Sequence, residues 1–191
     1  MLARSCCCLL IADAVAGAWL TWANALTALR LLLALPCAWL VTVQRWDWAA
    51  LLLTVAILTD LLDGPLARRL GQTSALGGLA DHATDATFVA LLLAALASLG
   101  YLPWLLPVLV AAAFLQYTFD SRAHTGRALR ASWLGKVNGI GYFVLAGCVV
   151  YRNGLGLGWP GDAWLDGAGW LLVLSSLASM IDRLRLGRAA E

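Results

Sequence analysis

The sequence predicts an all-α integral membrane protein, and both its composition and its longest apolar windows support that fold class. Hydrophobic residues make up 62% of the 191 residues and charged residues 13%, whereas a soluble domain is nearer half apolar and a quarter charged. The window 25–43 contains one charge, Arg30, and the window 86–119 contains none. Because a bilayer crossing needs roughly 20 mostly apolar residues, these windows are typical of membrane-spanning helices.

We predict six crossings, at about residues 25–43, 48–68, 78–100, 102–119, 136–152 and 164–182. Together they occupy most of the chain, so residues 1–191 are expected to form a single transmembrane domain. The segment before the first crossing has Arg4 and an apolar run, as a signal peptide does, but Asp13 interrupts that run. We therefore expect an N-terminal interfacial helix that leads into the first crossing.

The basic residues predict the orientation of these crossings. With the N-terminus in the cytoplasm, only Arg45 and Arg152 fall on the opposite side, and the other eleven of the 13 basic residues face the cytoplasm. This is a strong positive-inside bias. We expect a multi-pass protein of the inner, cytoplasmic membrane. The net charge of +2 then reflects topology and gives no reason to expect a nucleic-acid partner.

Four aspartates interrupt the apolar windows. Asp60 and Asp63 lie three positions apart in the second predicted helix, and Asp81 and Asp85 lie four apart at the start of the third. Residues at these spacings share one face of a helix. Because the second helix runs towards the cytoplasm and the third returns after a short connection, we expect the two pairs to face each other near the cytoplasmic surface.

Carboxylates gathered in so small a volume repel one another, and divalent cations would relieve that repulsion. Oxygen ligands favour hard ions such as magnesium, manganese or calcium. Two alternatives remain. The acids could form ion pairs with Arg68 and Arg69, or they could mark the path of a cation-coupled transporter or channel. A transport path predicts acids at mid-membrane depth, whereas these cluster at one end of the predicted crossings.

Between the two pairs lie further residues suited to a nucleotide or a phosphate. The small residues Gly64 and Ala67 allow a flat ring or a phosphate to approach the backbone. Arg68 offers a two-pronged donor that matches phosphate geometry. Pro65 removes a backbone donor and could kink the helix.

This run resembles the signature of the CDP-alcohol phosphotransferases, also called CDP-alcohol phosphatidyltransferases, D-x2-D-G-x2-A-R-x8-G-x3-D-x3-D. Every fixed position within residues 60–85 matches at the family's spacing: Asp60, Asp63, Gly64, Ala67, Arg68, Gly77, Asp81 and Asp85. Two weaker likenesses are an Asn-x2-Thr-x2-Arg run with a later proline, and a Ser-x2-Gly-Lys run; they comprise Asn24, Thr27, Arg30 and Pro36, and Ser132, Gly135 and Lys136.

The resemblance implies a transferase of phospholipid synthesis that moves a phosphatidyl group from CDP-diacylglycerol to an alcohol and releases CMP. It implies two magnesium or manganese ions held by Asp60, Asp63 and Asp81, with Asp85 as the base and a further ligand. It implies that the nucleotide end of the donor is bound through Gly64, Ala67, Arg68 and Gly77. It also implies a homodimer within membrane lipid, with the active site facing the cytoplasm.

The acceptor alcohol is less sharply indicated. Several basic residues are predicted on the cytoplasmic side and could frame a pocket for an anionic acceptor such as glycerol 3-phosphate or inositol phosphate: Arg122, Arg127, Arg130, Lys136, Arg183 and Arg185. The alternative is that they only follow the positive-inside rule and contact anionic lipid. His82 and Thr84, at free positions of the signature, indicate no particular acceptor.

Overall fold

The structure is a computed structural model that describes residues 22–69, 75–120 and 133–188. In these ranges it consists of helices without strands: α1 Trp22–Thr42, α2 Trp46–Arg69, α3 Ala75–Ser98, α4 Leu105–Asp120, α5 Trp133–Gly154 and α6 Asp162–Arg188. Each predicted crossing falls on one of these helices, which confirms the all-α fold class. The predicted interfacial helix before α1 lies outside the described residues.

Four of the described helices are long and apolar enough to cross a membrane. The qualifying segments are Ala25–Thr42, Gly77–Ser98, Trp133–Gly154 and Asp162–Arg185, and α4 adds the shorter apolar run Leu105–Thr118. Large apolar side chains on outward faces, such as Leu32 and Leu171, are more than 60% exposed. The protein is therefore a multi-pass membrane protein, while the sequence-based count of six crossings stays a prediction.

Short turns join the helices wherever no long connection intervenes. Gly100 ends α3 with a φ of 81°, a left-handed conformation that glycine adopts without steric cost. Its N–H donates to the carbonyl of Ala97 at 3.0 Å, and the next N–H, of Tyr101, donates to Leu96 at 3.2 Å. This paired arrangement is the Schellman motif, which satisfies the last carbonyls of a helix.

The six helices pack side by side as a closed ring. The order around the ring is α2, α1, α3, α4, α6 and α5, with α5 returning to α2 and also contacting α3. At the α5–α2 contact, a Cβ on Gly154 would lie 3.1 Å from the carbonyl oxygen of Trp46, so glycine permits this close approach. The ring leaves space between its helices, and that space contains the candidate site.

A set of polar contacts fastens the end of the bundle that carries Arg152, and we call it the Arg152 clasp. Nη1 of Arg152 lies 2.6 Å from Oδ1 of Asp162 and donates to the carbonyl of Pro160 at 2.8 Å. The guanidinium also stands 5.4 Å from the centre of the Tyr101 ring, an arrangement in which the cation is attracted to the ring face. The clasp therefore links the α3–α4 connection, the end of α5 and the start of α6.

Candidate active site

A buried arginine of α1 binds aspartates from two neighbouring helices. Nη1 of Arg30 donates to Oδ1 of Asp81 at 2.9 Å and also to Oδ1 of Asp85, while Nη2 lies 3.2 Å from Oδ1 of Asp60. The Arg30 side chain is 1% exposed, whereas the three acids keep between 29% and 48% exposure. We call these four residues the acidic cluster. Because a buried charge is costly unless paired, Arg30 depends on these acids.

Helical spacing explains how the acids of the cluster come together. Asp81 and Asp85 lie one turn apart on α3, and Asp60 approaches them from α2. Carboxylate oxygens of the three residues all lie within 4.8 Å of one another. The structure thus gathers three of the four aspartates singled out in the sequence.

The remaining predicted site residues are less fully described. Gly77 lies in the first turn of α3, one turn before Asp81. Asp63, Gly64, Ala67 and Arg68 belong to the last turns of α2, but their side chains lie outside the described part of the structure. Their roles, and those of the described aspartates, stay predictions.

The acidic cluster fits a divalent cation. When its three carboxylates are ionised, the acidic cluster carries two more negative charges than positive ones. The converging donors are carboxylate oxygens, which hard ions such as magnesium and manganese prefer. Asp60, Asp81 and Asp85 would hold such an ion, and Arg30 would offset part of their mutual repulsion.

The cation that pairs with the acids was missed at the level of sequence. Pairing of the acids with Arg68 and Arg69 was one alternative, and Arg30 was assigned to topology and to the Asn-x2-Thr-x2-Arg run. The described contacts come from Arg30. A signal was present, since Arg30 is the one charge in the window 25–43. An ionisable residue inside an apolar span usually has a functional partner, and that rule predicts a partner for Arg30 without saying which residue it is.

A cavity of about 1050 Å³ runs between the helices and is open to the surface, since exposed residues such as Ile140 and Val144 belong to its lining. One end is lined by Arg30, Asp60 and Asp85 of the acidic cluster, and the other end by Arg152 and Trp159. Much of the wall between them is apolar and is supplied largely by α4 and α5. The cavity therefore connects a charged site with an apolar interior large enough for part of a lipid.

Polar and basic side chains line the same cavity near the acidic cluster. The ring of Tyr117 stacks with that of His82 at 5.9 Å between centroids, and the guanidinium of Arg183 stands 4.9 Å from the Tyr117 ring. Since His82 follows Asp81 directly, these contacts bring Arg183 of α6 to the level of the cluster. Lys136 of α5 also lines the cavity.

Only part of the basic set predicted for an anionic pocket can be located. Lys136 and Arg183 line the cavity, whereas Arg185 is exposed and is not among the described wall residues. The other three, Arg122, Arg127 and Arg130, lie outside the described residues. The cavity wall thus supplies two cations from different helices, and the contacts of Tyr117 bring one of them, Arg183, to the level of the acids.

A family model for CDP-alcohol phosphatidyltransferases matches residues 20–181. The chain belongs to the CDP-alcohol phosphatidyltransferase family. This membership confirms the resemblance carried by residues 60–85, which lie inside the matched region. The three aspartates of the acidic cluster are three of the four aspartates in the family's signature.

Two curated relatives are each similar to this chain over about half of its length. A probable phosphatidylglycerophosphate synthase of Mycobacterium tuberculosis is 36% identical over 105 residues, covering 51% of this chain and 49% of the relative. A cardiolipin synthase (CMP-forming) of Streptomyces coelicolor is 38% identical over 96 residues, covering 49% of this chain and 45% of the relative. The chain thus spans about half the length of the curated relatives it matches.

Proposed function

We propose that this protein transfers a phosphatidyl group from CDP-diacylglycerol to glycerol 3-phosphate and releases CMP. The observation that carries the proposal is that the acidic cluster lines a cavity whose wall also bears Lys136 and Arg183. Acids that can hold a divalent cation thus line the same cavity as cations that can hold an anionic acceptor. Family membership and the name of the mycobacterial relative support the same reaction.

The donor would bind with its pyrophosphate at the acidic cluster and its acyl chains towards apolar surface. Carboxylates repel a pyrophosphate, so magnesium or manganese, which we expect as two ions, would supply the positive charge that joins them. Asp60, Asp63, Asp81 and Asp85 would be the protein ligands. Gly64, Ala67 and Gly77 would let the nucleotide lie close to the backbone, and Arg68 would donate to its phosphates.

The transfer itself is a displacement at the lipid-side phosphorus. The acceptor hydroxyl oxygen forms a new bond to that phosphorus, and the bond from phosphorus to the bridging oxygen breaks. CMP leaves with the bridging oxygen and its electron pair, while the hydroxyl proton passes to the carboxylate of Asp85. Alignment and charge stabilisation supply much of the acceleration in such phosphoryl transfers.

The acceptor assignment rests on charge. Glycerol 3-phosphate carries an anionic phosphate, and Lys136 and Arg183 offer charge-assisted hydrogen bonds from two helices of the cavity wall. A site at the cytoplasmic surface of the inner membrane would admit this soluble acceptor while the donor stays in the bilayer. We also propose that the working unit is a homodimer, as in the family that the signature indicates.

CMP release by the purified protein tests this function. CDP-diacylglycerol and magnesium or manganese would be combined in turn with glycerol 3-phosphate, inositol, inositol phosphate, serine and phosphatidylglycerol. We expect metal-dependent release with glycerol 3-phosphate. CMP release with phosphatidylglycerol as the only active acceptor would mean that the acceptor is a lipid. That result would agree with the name of the Streptomyces relative, a cardiolipin synthase (CMP-forming).

Two negative results would have different meanings. Folded protein that binds CDP-diacylglycerol but releases no CMP would contradict every acceptor in the panel. Folded protein that binds no donor, yet carries a metal-dependent ion flux in liposomes, would support the transporter or channel alternative.

Variants of the basic wall residues test the acceptor site. Lys136→Gln and Arg183→Gln should each raise KM for glycerol 3-phosphate about tenfold, the expected loss for a hydrogen bond to a charged group, with kcat much less affected. Arg185→Gln is the matched control, because Arg185 is an exposed arginine of the same helix as Arg183. An unchanged KM in both wall variants would contradict phosphate binding there.

A further inference from the structure

One buried acceptor atom in the cavity wall has no partner among the described residues. The atom is Oε1 of Gln116, on α4. The other end of the same amide is fixed, because Nε2 donates to the carbonyl oxygen of Met180 on α6 at 3.0 Å. A buried polar atom without a partner is unfavourable, so a hydrogen bond from a donor to this oxygen would be stabilising.

The orientation of the Gln116 amide follows from the Met180 contact. A carbonyl oxygen only accepts hydrogen bonds, so the amide must turn its NH2 group towards Met180. The opposite orientation would set two acceptors against each other. Oε1 is thereby the end of the amide that is left without a partner among the described residues.

The position of Gln116 puts this acceptor near the proposed acceptor site. Gln116 lines the cavity and precedes Tyr117, whose ring contacts both His82 and Arg183. Its partner Met180 lies three positions before Arg183, about one helical turn away. The amide is therefore close to a cation that we assign to the phosphate of the acceptor.

The chemistry of the amide oxygen restricts what it can bind. Phosphate and carboxylate oxygens are acceptors and cannot donate to Oε1. A hydroxyl can donate, and a neutral amide oxygen receives it without adding charge to a wall that must bind an anion. N–H groups could donate as well, but the acceptor in the proposed reaction is a phosphorylated alcohol, and the donor that it offers is a hydroxyl group.

We propose that Oε1 of Gln116 accepts a hydrogen bond from the non-reacting hydroxyl of the acceptor alcohol. It thereby selects phosphorylated diols over phosphorylated alcohols with a single hydroxyl. A site built to bind a substrate hydroxyl discriminates against an analogue that lacks it, because the site's buried polar group is then left unpaired. This inference rests on the proposed function and adds a residue that determines acceptor specificity.

The test compares two acceptors that share a phosphate and a reacting primary hydroxyl. Glycerol 3-phosphate has the second hydroxyl, and 3-hydroxypropyl phosphate lacks it. We expect the wild-type kcat/KM to be about tenfold higher for glycerol 3-phosphate, the size of one hydrogen bond. Gln116→Met, which keeps the length of the side chain, should bring this ratio close to one by raising KM for glycerol 3-phosphate.

The ratio is measured on one preparation, so a reduced folded fraction cancels from it. Gln116→Glu gives a second variant: its carboxyl group must be protonated to donate to the carbonyl oxygen of Met180, and it then keeps a neutral acceptor oxygen. We expect it to keep the preference for the diol. Thr118→Val is the matched control, because Thr118 lies two positions further along α4 and bonds the carbonyl of Phe114 at 2.9 Å. It should leave the ratio unchanged.

Specific results would overturn the inference. A wild-type ratio near one, or an unchanged ratio in Gln116→Met, would show that Oε1 does not bind the second hydroxyl. If Gln116→Met lowers kcat/KM equally for both acceptors, Gln116 contacts a part of the acceptor other than its second hydroxyl. A wild type that releases no CMP with any acceptor would overturn the proposed function and this inference together.

Discussion

Nη1 of Arg30 lies 2.9 Å from Oδ1 of Asp81, so a residue of α1 binds an acid 51 positions away at the start of α3. The same guanidinium reaches Asp60 on α2 and Asp85 one turn further along α3. One side chain therefore fixes the relative positions of three helices at the candidate active site. Its removal should affect both stability and chemistry.

Arg30→Gln should lower the free energy of unfolding by about 2 kcal/mol. Removing one partner of a buried ion pair costs several kcal/mol, and partial exposure of the acids reduces that figure. Denaturant titration in detergent micelles, without divalent metal, would measure the change. Arg45→Gln is the control, since the side chains of Arg45 and Asp47 are both exposed, with Nε of Arg45 3.7 Å from Oδ1 of Asp47. A loss no larger than that of the control would contradict the central role of Arg30.

Asp60→Asn and Asp81→Asn should each weaken manganese binding by roughly tenfold or more, because the affinity of such sites depends on the number of charged oxygen ligands. Electron paramagnetic resonance of free manganese in titrations of the purified protein would report the affinity. Asp47→Asn removes an acid from the opposite end of α2 and should change nothing. Wild-type affinity in both cluster variants would exclude the cluster as the metal site.

Asp85→Asn should abolish CMP release while the protein remains folded. The amide cannot take the proton of the acceptor hydroxyl, and loss of a general base typically reduces the rate by roughly 10²–10⁴-fold. Rates would be compared at saturating metal, with folding checked by the elution volume in detergent and by the CD spectrum. Measurable turnover close to that of the wild type would remove Asp85 as an essential base.

Tyr142→Phe and Ser176→Ala should each destabilise the α5–α6 contact, and their effects should not add. The two hydroxyl oxygens lie 2.6 Å apart and both residues are buried. Hydrogen bonds between membrane helices contribute about 0.6 kcal/mol on average, so the coupling energy should be of that order. A double-mutant cycle on the free energy of unfolding measures it. Strictly additive effects would mean that the hydroxyls do not interact.

Apolar windows predicted the helices well but their ends less well. The third helix begins at Ala75, ahead of the predicted residue 78, and the last extends to Arg188, beyond the predicted residue 182. An apolar window predicts only the part of a helix that lies in lipid. The backbone hydrogen bonds of the helix can continue beyond the lipid, so the helix is longer than the window. Basic residues such as Arg183 and Arg185 are favourable in the last turns of a helix, which is consistent with this extension.

Spacing along the chain predicted local neighbours but not long-range partners. The periods of three and four positions brought Asp81 and Asp85 onto one face, and a short connection brought Asp60 opposite them. The pairing of Arg30 depends on which face of α1 packs against α3, and no local pattern encodes it. The unpartnered oxygen of Gln116 could not be predicted locally either. Its orientation depends on the hydrogen bond from the same amide to Met180, which lies 64 positions away in the sequence.

The position of Arg30 in the first described helix has a consequence for biosynthesis. The chain is made from its N-terminus, so α1 reaches the membrane before its counter-ions at positions 81 and 85 have been translated. An unpaired arginine costs roughly 2.5–3.5 kcal/mol at the centre of an inserting helix on insertion scales, and less towards the end of the apolar segment, where Arg30 lies. The contacts with Asp81 and Asp85 can therefore offset this cost only after α3 has arrived, so α1 becomes more stable in the bilayer as the third helix joins it.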